Sequence, residues 1–281
     1  METRIAGATR EVIIGDERPT VLIGERINAT ARKSIAEAAR TGNWEVVRRE
    51  AVAQVQAGAD IIDINMNVFG ADEVALLPAA VRAVMDAVDV PLCLDSTNPR
   101  ALDAALKVCK GRPLINSVTG EESSLKGILP LVKQYGAAVI GLTQDEAGVA
   151  GNADTRMAVA RKIIERARSV GIPPEHVVID CLALSLGADP ASAQATLEAI
   201  RRVKADLGVN LTLGASNVSF GLPDRKALDR TFLSICMAAG VNCPIVDAAA
   251  VRQTVLAADL ILGRDKRARR YIGVYRERAK R

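Results

Sequence analysis

Residues 92–116 read LCLDSTNPRALDAALKVCKGRPLIN, and this stretch contains one complete unit of a parallel α/β fold. The apolar runs at 92–94 and 114–116 have the length and composition of short buried strands. Between them, an Asn-Pro pair puts a capping side chain before a proline at the first helical position, which predicts a helix over roughly 99–110. The stretch therefore predicts a strand, a helix and a second, parallel strand.

The same unit repeats along the rest of the chain in type, although not in sequence. Apolar strands alternate with helical stretches of about ten or more residues, an order that is typical of βα units around a parallel sheet. The predicted strands are Thr20–Ile23, Asp60–Ile64, Leu92–Leu94, Leu114–Asn116, Ala138–Leu142, Val177–Asp180, Leu211–Leu213 and Ile245–Val246. The predicted helices are roughly 34–57, 72–87, 99–110, 124–135, 155–170, 190–206, 226–239 and 249–262. Eight such units favour an α/β fold of the (β/α)8 TIM barrel type, with its core at about 20–262, in one domain that spans residues 1–281.

Two segments lie outside this alternation. Residues 9–19 are predicted to form a short hairpin or cap over the amino-terminal end of the barrel. Residues 264–281 hold nine Lys or Arg against two acidic residues, which predicts a basic C-terminal helix. A solvated face or a subunit contact is a commoner role for such a helix than nucleic-acid binding, and a contact with an acidic partner protein is a further interpretation. Aromatic residues make up only 2% of the chain, so no base-stacking platform is predicted.

Composition excludes several other classes of protein. No apolar run approaches the length of a membrane span, and the amino terminus lacks the basic start and apolar core of a signal peptide. The five cysteines are scattered without a CxxC pair, which indicates reduced thiols in a cytoplasmic protein rather than a zinc or iron–sulfur site. The one histidine, His176, precedes the sixth strand at the wrong end of the barrel, so no protein-bound metal is predicted. We expect a homodimer, as is common for barrels.

Polar side chains follow nearly every predicted strand, at the end of the barrel where TIM-barrel active sites lie. They are Glu25, Asn28, Asp63, Asn65, Asn67, Asp95, Ser96, Asn116, Ser117, Thr143, Gln144, Asp180, Ser216, Asn217 and Asp247. Helix capping accounts for some of them but not for the dominance of Asp and Asn. A carboxylate accepts two parallel hydrogen bonds from a ring N–H and an adjacent amino group, and an asparagine both donates and accepts. The pattern therefore predicts a flat, neutral heterocycle as ligand; a pterin fits, and a nucleobase presents the same edges.

Several motifs, taken in order, resemble those of a known family. They are GERIN (24–28), DIN (63–65), CLDSTN (93–98), INS (115–117), IGLT (140–143), the strand-six aspartate Asp180, GASNVS (214–219) and DRTFL (229–233). Over residues 20–262 the chain is similar to the methyltetrahydrofolate:corrinoid protein methyltransferases, which are pterin-binding TIM barrels of one-carbon metabolism. The resemblance implies methyl transfer between N5 of 5-methyltetrahydrofolate and the cobalt of a corrinoid (cobalamin). The chain has no Asp-x-His-x-x-Gly pattern for a lower cobalt ligand, so the corrinoid is expected on a separate protein that docks transiently at the barrel mouth.

The resemblance also implies roles for individual residues. The implied pterin-binding residues are Glu25, Asp63, Asn65, Asp95, Asn116, Asp180, Gly214, Ser216 and Asn217. Among them Asp95, Asn116 and Asp180 would hold the pterin edge, and Asn217 would reach N5 as the catalytic residue. Transfer from N5 is an SN2 displacement that needs a proton on N5, and Asn217 could stabilise the charge that forms. No side chain in the sequence is an evident donor of that proton, which leaves water held by a carboxylate network.

Two departures from the family pattern lie at the predicted rim of the pocket. Phe220 follows GASNVS where the best-known relatives carry a polar residue, and Cys181-Leu182 replaces an expected proline-containing turn. Two alternatives stay open beside the methyltransferase. Dihydropteroate synthase, another pterin barrel, would have a Ser-Arg-Lys run after the seventh strand, where this chain has Ser216-Asn217-Val218. A non-catalytic pterin- or corrinoid-binding protein is the second.

Overall fold

The protein is described here as a computed structural model of residues 1–279. Those residues form twelve β-strands and ten α-helices. The strands are β1 (Thr3–Ala6), β2 (Glu11–Ile14), β3 (Ile23–Asn28), β4 (Ile61–Asn65), β5 (Leu92–Asp95), β6 (Leu114–Thr119), β7 (Ala138–Leu142), β8 (Gln144–Asp145), β9 (Gly148–Val149), β10 (Val177–Asp180), β11 (Asn210–Thr212) and β12 (Ile245–Val246). The helices are α1 (Lys33–Thr41), α2 (Trp44–Gln56), α3 (Glu73–Ala87), α4 (Pro99–Leu106), α5 (Glu122–Tyr135), α6 (Ala153–Ser169), α7 (Ser192–Leu207), α8 (Arg225–Ala239), α9 (Ala248–Ile261) and α10 (Arg269–Arg278).

Eight of the strands pair in parallel to form the barrel, in the order β11-β10-β7-β6-β5-β4-β3-β12. The two ends of this sheet meet where Gly214 bridges Ile245 and the Ile245 N–H donates to the Leu213 carbonyl at 3.0 Å. The predicted (β/α)8 TIM barrel is confirmed. All eight predicted strands are present, and helices surround them in the expected alternation.

Two boundaries differ from the prediction. The first barrel strand runs over 23–28 rather than 20–23, because its polar residues continue to pair with β4 after a bulge between Gly24 and Ile27. The predicted helix over 34–57 is two helices, α1 and α2. Gly42 ends α1 in the left-handed conformation at φ 68°, which a glycine adopts without steric cost.

The amino-terminal hairpin closes one end of the barrel. Strands β1 and β2 pair antiparallel, and Ile5, Val12 and Ile14 pack against the apolar residues inside the barrel. The Asn210 amide donates to the Thr3 hydroxyl at 2.8 Å and to the Ile14 carbonyl at 3.1 Å, which fixes the hairpin to β11. The predicted cap is therefore present, although it spans 3–14 rather than 9–19. His176 lies at this closed end, in a single turn before β10.

Inside the barrel, apolar residues near the hairpin give way to polar ones two positions further along each strand. Side chains two apart on a strand point to the same face, so the strand ends place polar groups inside the opposite, open end, which we call the mouth. The pairs are Ile23 and Glu25, Ile61 and Asp63, Cys93 and Asp95, Leu114 and Asn116, Val178 and Asp180, and Ile245 and Asp247. The period of the strands thus gathers the predicted site residues at one place.

The basic C-terminal segment forms α10, as predicted, up to Arg278; Lys280 and Arg281 lie outside the described residues. Arg264, the first residue of this basic segment, contacts the rest of the chain. The Arg264 guanidinium donates to the Thr20 hydroxyl at 3.0 Å and to the carbonyls of Met237 and Val241. Among the described residues, the helices are all too short or too polar to cross a lipid bilayer.

Candidate active site

Four polar side chains at the ends of β4, β5 and β6 form one hydrogen-bonded cluster. Asn65, Asp95 and Asn116 stand side by side in the parallel register. The Asn65 amide donates to Asp95 Oδ2 at 3.0 Å, and the Asn116 amide donates to Asp63 Oδ1 at 3.2 Å. The sequence prediction that these residues lie together is confirmed, while their contact with a pterin stays a prediction.

Asn65 makes the most hydrogen bonds of the four residues in this cluster. Its side-chain oxygen accepts from the Asn67 N–H and from the Thr30 hydroxyl, both at 3.1 Å, while its amide nitrogen holds Asp95. Asp95 keeps one carboxylate oxygen, Oδ1, that accepts nothing from residues 1–279. Asn65 therefore orients Asp95, and Asp95 presents the free oxygen to the mouth.

The two carboxyl groups of the cluster resist ionisation. Burial and the nearby Asp95 raise the pKa of Asp63 well above its usual value. Burial also raises the pKa of Asp95 to about 6, although the hydrogen bond from Asn65 opposes the shift. Because the charged forms cost more here than in water, both groups gain from a ligand that donates hydrogen bonds to them.

Asp180 ends β10 and is buried, with 5% of its surface exposed. Its Oδ1 accepts from the Leu182 N–H at 2.7 Å, whereas its Oδ2 accepts nothing from the described residues. Burial raises the pKa of Asp180 to about 7, against the effects of that hydrogen bond and of Arg156. Asp180 thus keeps a carboxylate oxygen without a donor among the described residues, at the end of a barrel strand.

A fully buried arginine on α6 holds the chain that follows Asp180. Arg156 donates through Nη1 to the carbonyls of Cys181 and Leu182 at 2.8 and 2.9 Å, and to the Thr196 hydroxyl at 2.8 Å. Leu182 has φ 58°, in the left-handed region that a residue with a Cβ rarely adopts. The arginine therefore stabilises a strained turn whose N–H orients Asp180.

Asn217 lies in a short 3₁₀ helix (Ala215–Ser219) that follows β11. Its side chain lies against Gly214: a Cβ atom at position 214 would be 3.0 Å from Asn217 Nδ2. The Asn217 N–H also donates to the Gly214 carbonyl at 3.3 Å. Gly214 therefore makes the room in which the exposed Asn217 amide lies, at the rim of the mouth.

A cavity of about 340 Å³ opens beside this helix, between β3, α8 and α9. Glu25, Ser216 and Asp247 line its barrel side. Burial, together with the negative charges of Asp247 and Asp229, raises the pKa of Glu25 to about 7. Glu25 therefore carries a proton for part of the time at neutral pH.

The order of strands fixes how these groups face one another. In a closed ring of eight strands, β5 and β6 lie across the barrel from β11 and β12. Asp95 and Asn116 therefore face Asn217 across the mouth, with Asp180 on β10 between them. The free carboxylate oxygens of Asp95 and Asp180 suit the N–H groups of a flat heterocycle that reaches the rim beside Asn217.

Among residues 1–279, no three side chains of His, Cys, Asp or Glu are gathered so that they could hold an ion. The polar groups at the mouth are instead distributed around the ring, as an extended planar ligand requires.

Sequence reasoning did not find three basic residues of α8 or the buried Arg156. Arg225, Lys226 and Arg230 line the cavity beside Ser216, although they follow β11 by more than ten residues. Their place beside β3 depends on barrel closure, which no local pattern reports. An arginine on the apolar face of a predicted helix was the available signal for Arg156.

The chain is similar in sequence to several known proteins. A sequence profile described as "Pterin binding enzyme" matches residues 24–247. The methylcorrinoid:tetrahydrofolate methyltransferase of Eubacterium limosum is 30% identical over 264 residues, which cover 92% of this chain and 96% of that relative. The methionine synthase of Mycobacterium leprae is 34% identical over 249 residues, covering 84% of this chain but only 21% of the synthase. The chain thus spans about a fifth of that larger relative.

A solved structure shares the fold at lower identity. The dihydropteroate synthase from Xanthomonas albilineans in complex with 7,8-dihydropteroate superimposes with a TM-score of 0.73, covering 92% of this chain and 98% of that one. The two sequences are 20% identical, so the similarity shows a common barrel and nothing about the reaction.

Proposed function

The chain belongs to the family of pterin-binding enzymes and is a methyltransferase, and we propose that it moves a methyl group between N5 of 5-methyltetrahydrofolate and the cobalt of a corrinoid. The observation that carries the proposal is the arrangement of Asp95 and Asn116 across the open end of the barrel from Asn217, with Asp180 on β10 beside the strand that leads to Asn217. The relative from Eubacterium limosum, which matches over nearly its whole length, is named for the same two methyl carriers, a methylcorrinoid and tetrahydrofolate.

Recognition of the pterin follows from the free acceptors. Asp180 and Asp95 each keep one carboxylate oxygen for the amino and ring N–H groups of the pterin, and the side-chain oxygen of Asn116 takes a further N–H. Each carboxylate is held in place by a donor of its own, the Leu182 N–H at 2.7 Å and the Asn65 amide at 3.0 Å. Because these groups are buried, the hydrogen bonds they make to the pterin are stronger than they would be in water.

When 5-methyltetrahydrofolate is the methyl donor, the bond between N5 and the methyl carbon breaks and N5 keeps the electron pair. Cobalt supplies the nucleophile that takes the methyl group. A proton on N5 makes the leaving group a neutral amine, and Asn217 accepts a hydrogen bond from that proton through its side-chain oxygen. This contact is stronger in the transition state than with unprotonated substrate, which is the condition for a gain in rate. Water next to Glu25, whose pKa is raised to about 7, is the proposed route of the proton.

The corrinoid is proposed to arrive on a partner protein that docks transiently over the mouth. Two exposed aromatic side chains stand on loops at this end: Phe69, after β4, is 97% exposed, and Phe220, after the 3₁₀ helix, is 70% exposed. Phe220 lies under the Arg225 guanidinium at 5.9 Å from the ring centre. The homodimer and the cytoplasmic location stay predictions.

A label on the methyl group tests the reaction and its direction. The protein is mixed under anaerobic conditions with 5-methyltetrahydrofolate labelled on the methyl carbon and with cob(I)alamin, and separately with labelled methylcobalamin and tetrahydrofolate. We expect the label to pass from one substrate to the other in at least one of the mixtures. If the protein instead forms dihydropteroate from the substrates of dihydropteroate synthase, the alternative holds. Tight binding of folate without transfer of label would favour the non-catalytic alternative.

A further inference from the structure

Helix α10 presents an apolar stripe to solvent. Tyr271 and Tyr275 are four residues apart, and Ile272 lies three residues before Tyr275, a spacing that puts all three on one face of the helix. All three side chains are exposed, that of Tyr275 by 70%. Gly273 and Val274, on the other face, are half-buried. The helix therefore turns its aromatic side toward solvent, the reverse of an ordinary surface helix.

The start of α10 is fixed to the rest of the chain. The Asp265 carboxylate accepts from the N–H groups of Arg270 and Tyr271 at 3.1 and 2.9 Å. The Arg270 guanidinium donates to the buried carboxylate of Asp259, in the last turn of α9, at 3.4 Å. The stripe therefore has a fixed place on the surface, and the helix needs no folding step when a partner binds.

Positive charge without a counter-charge borders the stripe. Four basic side chains of this segment are exposed and form no ion pair with a carboxylate of residues 1–279: Lys266, Arg267, Arg269 and Arg276. Arg269 and Arg276 are seven residues apart, about two helical turns, so they lie along the same flank of the stripe. The surface thus combines exposed aromatic rings with cations that the described part of the chain does not neutralise.

The end of α9 adds apolar surface next to this helix. Ile261 is 83% exposed, and Leu262, which follows it, is also exposed. Both lie at the closed end of the barrel, because each barrel helix runs back from the mouth. Arg264, which connects the two helices, donates there to the Thr20 hydroxyl ahead of β3. The surface therefore lies at the end of the barrel opposite to the candidate active site.

Charge decides which partner suits this surface. Residues 264–281 hold nine Lys or Arg against two acidic residues, a formal charge of +7. In a symmetric dimer through α10, two such segments would face each other and repel. An anionic surface is attracted instead. A layer of lipid headgroups also accepts exposed tyrosine and isoleucine side chains without a matching groove.

We propose that α10 and the end of α9 form a peripheral contact with membranes of anionic phospholipid. Tyr271, Ile272 and Tyr275 enter the headgroup region, and Arg269 and Arg276 contact lipid phosphates. A helix that lies in the membrane surface needs no apolar run of spanning length. The mouth, at the opposite end, stays open to substrates while the protein is bound. The inference goes beyond the proposed methyl transfer and does not depend on it.

Co-sedimentation with lipid vesicles tests the proposal. The full chain is mixed with vesicles of phosphatidylcholine alone and with vesicles of phosphatidylcholine and phosphatidylglycerol. We expect the protein to sediment with the anionic vesicles and to stay in solution with the neutral ones. High salt should weaken the binding, because exposed charges are screened.

Substitutions in α10 separate the charged part of the contact from the apolar part. Arg269→Ala and Arg276→Ala should each lower the partition coefficient onto anionic vesicles by about fivefold, the usual effect of one cation near a charged membrane surface. Ile272→Ser should lower it by about three- to eightfold, since the exposed part of that side chain no longer leaves water. The matched controls are Lys126→Ala, an exposed lysine on α5, and Phe69→Ser, an exposed aromatic residue at the mouth; neither should change vesicle binding.

Three results would overturn the proposal. The wild-type protein could stay in solution with the anionic vesicles. Binding could be lost in the arginine variants but kept in Ile272→Ser, which would show attraction to any polyanion rather than a membrane contact. Sedimentation velocity could show a dimer that Ile272→Ser dissociates, which would assign the surface to a second copy of the chain.

Discussion

The Asn217 amide lies against Gly214 so closely that a Cβ atom at position 214 would be 3.0 Å from its nitrogen. Gly214 has φ −74° and ψ 88°, which residues with a side chain also adopt, so an alanine there strains no backbone. The added methyl group acts on the position of Asn217 alone. The pair therefore offers a way to move the proposed catalytic amide without removing it.

We expect Gly214→Ala to lower kcat by about tenfold, since a misplacement of about 1 Å in a catalytic group can cost 10²-fold and this contact forces a smaller shift. The affinity for 5-methyltetrahydrofolate should stay within about twofold, because Asp95 and Asn116 lie across the barrel and the Asp180 carboxylate is held by the Leu182 N–H. Single-turnover transfer and equilibrium binding measure the two quantities. A large loss of binding with unchanged kcat would place Asn217 in ground-state recognition instead.

Arg156 offers a prediction about positioning. Lysine keeps the charge but lacks the planar fork that reaches the Cys181 and Leu182 carbonyls and Thr196 together. Arg156→Lys should therefore loosen the turn that orients Asp180 and raise KM for the pterin about tenfold, with a smaller change in kcat. The buried hydrogen bonds lost should also lower the free energy of unfolding by about 1–3 kcal/mol.

A matched variant separates positioning by Arg156 from simple destabilisation. Thr196→Val removes one partner of Arg156 and the hydroxyl contact to the Leu182 carbonyl, but it leaves both carbonyl contacts of the arginine, so it should lower stability with a smaller rise in KM than Arg156→Lys. Thermal unfolding and steady-state kinetics of the two variants decide between the two roles. Equal KM values in wild type and Arg156→Lys would reduce the arginine to a packing role.

Asp180 gives opposite pH trends for stability and for binding. Burial raises its pKa from 3.8 to about 7, so the folded protein holds this proton more tightly than the unfolded chain. The contribution of Asp180 to the free energy of unfolding should therefore fall as pH rises from about 4 to about 7 and then level off. The fall should be at most about 1.4 kcal/mol per pH unit. The ligand needs the carboxylate, so pterin affinity should rise over the same range.

The comparison of wild type with Asp180→Asn isolates these trends, because the amide does not titrate in this range. The difference in unfolding free energy, measured by denaturant titration at about pH 4.5, 6 and 8, should change steadily in favour of the variant. Pterin binding by the variant should be weak and nearly independent of pH. A constant difference in stability would mean that Asp180 keeps its ordinary pKa.

The sequence predicted the barrel and the strand-end cluster because both depend on short periods along the chain. The alternation of strand and helix located all eight barrel strands, and the two-residue period put Asp63, Asp95 and Asn116 on one face. Features of the site that depend on contacts between distant segments of the chain were not predicted. The cations of α8 reach the cavity beside Glu25 only because the ring closes between β11 and β12.

The surroundings of individual side chains could not be predicted from the sequence either. Asn65 was expected to bind the pterin, which stays a prediction, but the sequence did not show that its side chain also contacts Asp95, Asn67 and Thr30. The raised pKa of Glu25 comes from burial and from carboxylates on α8 and at the end of β12. These properties arise from packing, so they become visible only once the elements are assembled.

The most direct test of the account follows the visible spectrum of cob(I)alamin mixed anaerobically with 5-methyltetrahydrofolate and the protein, wild type beside Asn217→Ala. We predict that the wild-type protein converts the cob(I)alamin spectrum to that of methylcobalamin. The variant should bind the folate but convert it about 10²- to 10³-fold more slowly, the usual cost of one lost transition-state hydrogen bond. Equal rates for the two proteins would contradict the role of Asn217. A wild-type protein that neither binds the folate nor changes the spectrum would contradict the pterin site itself.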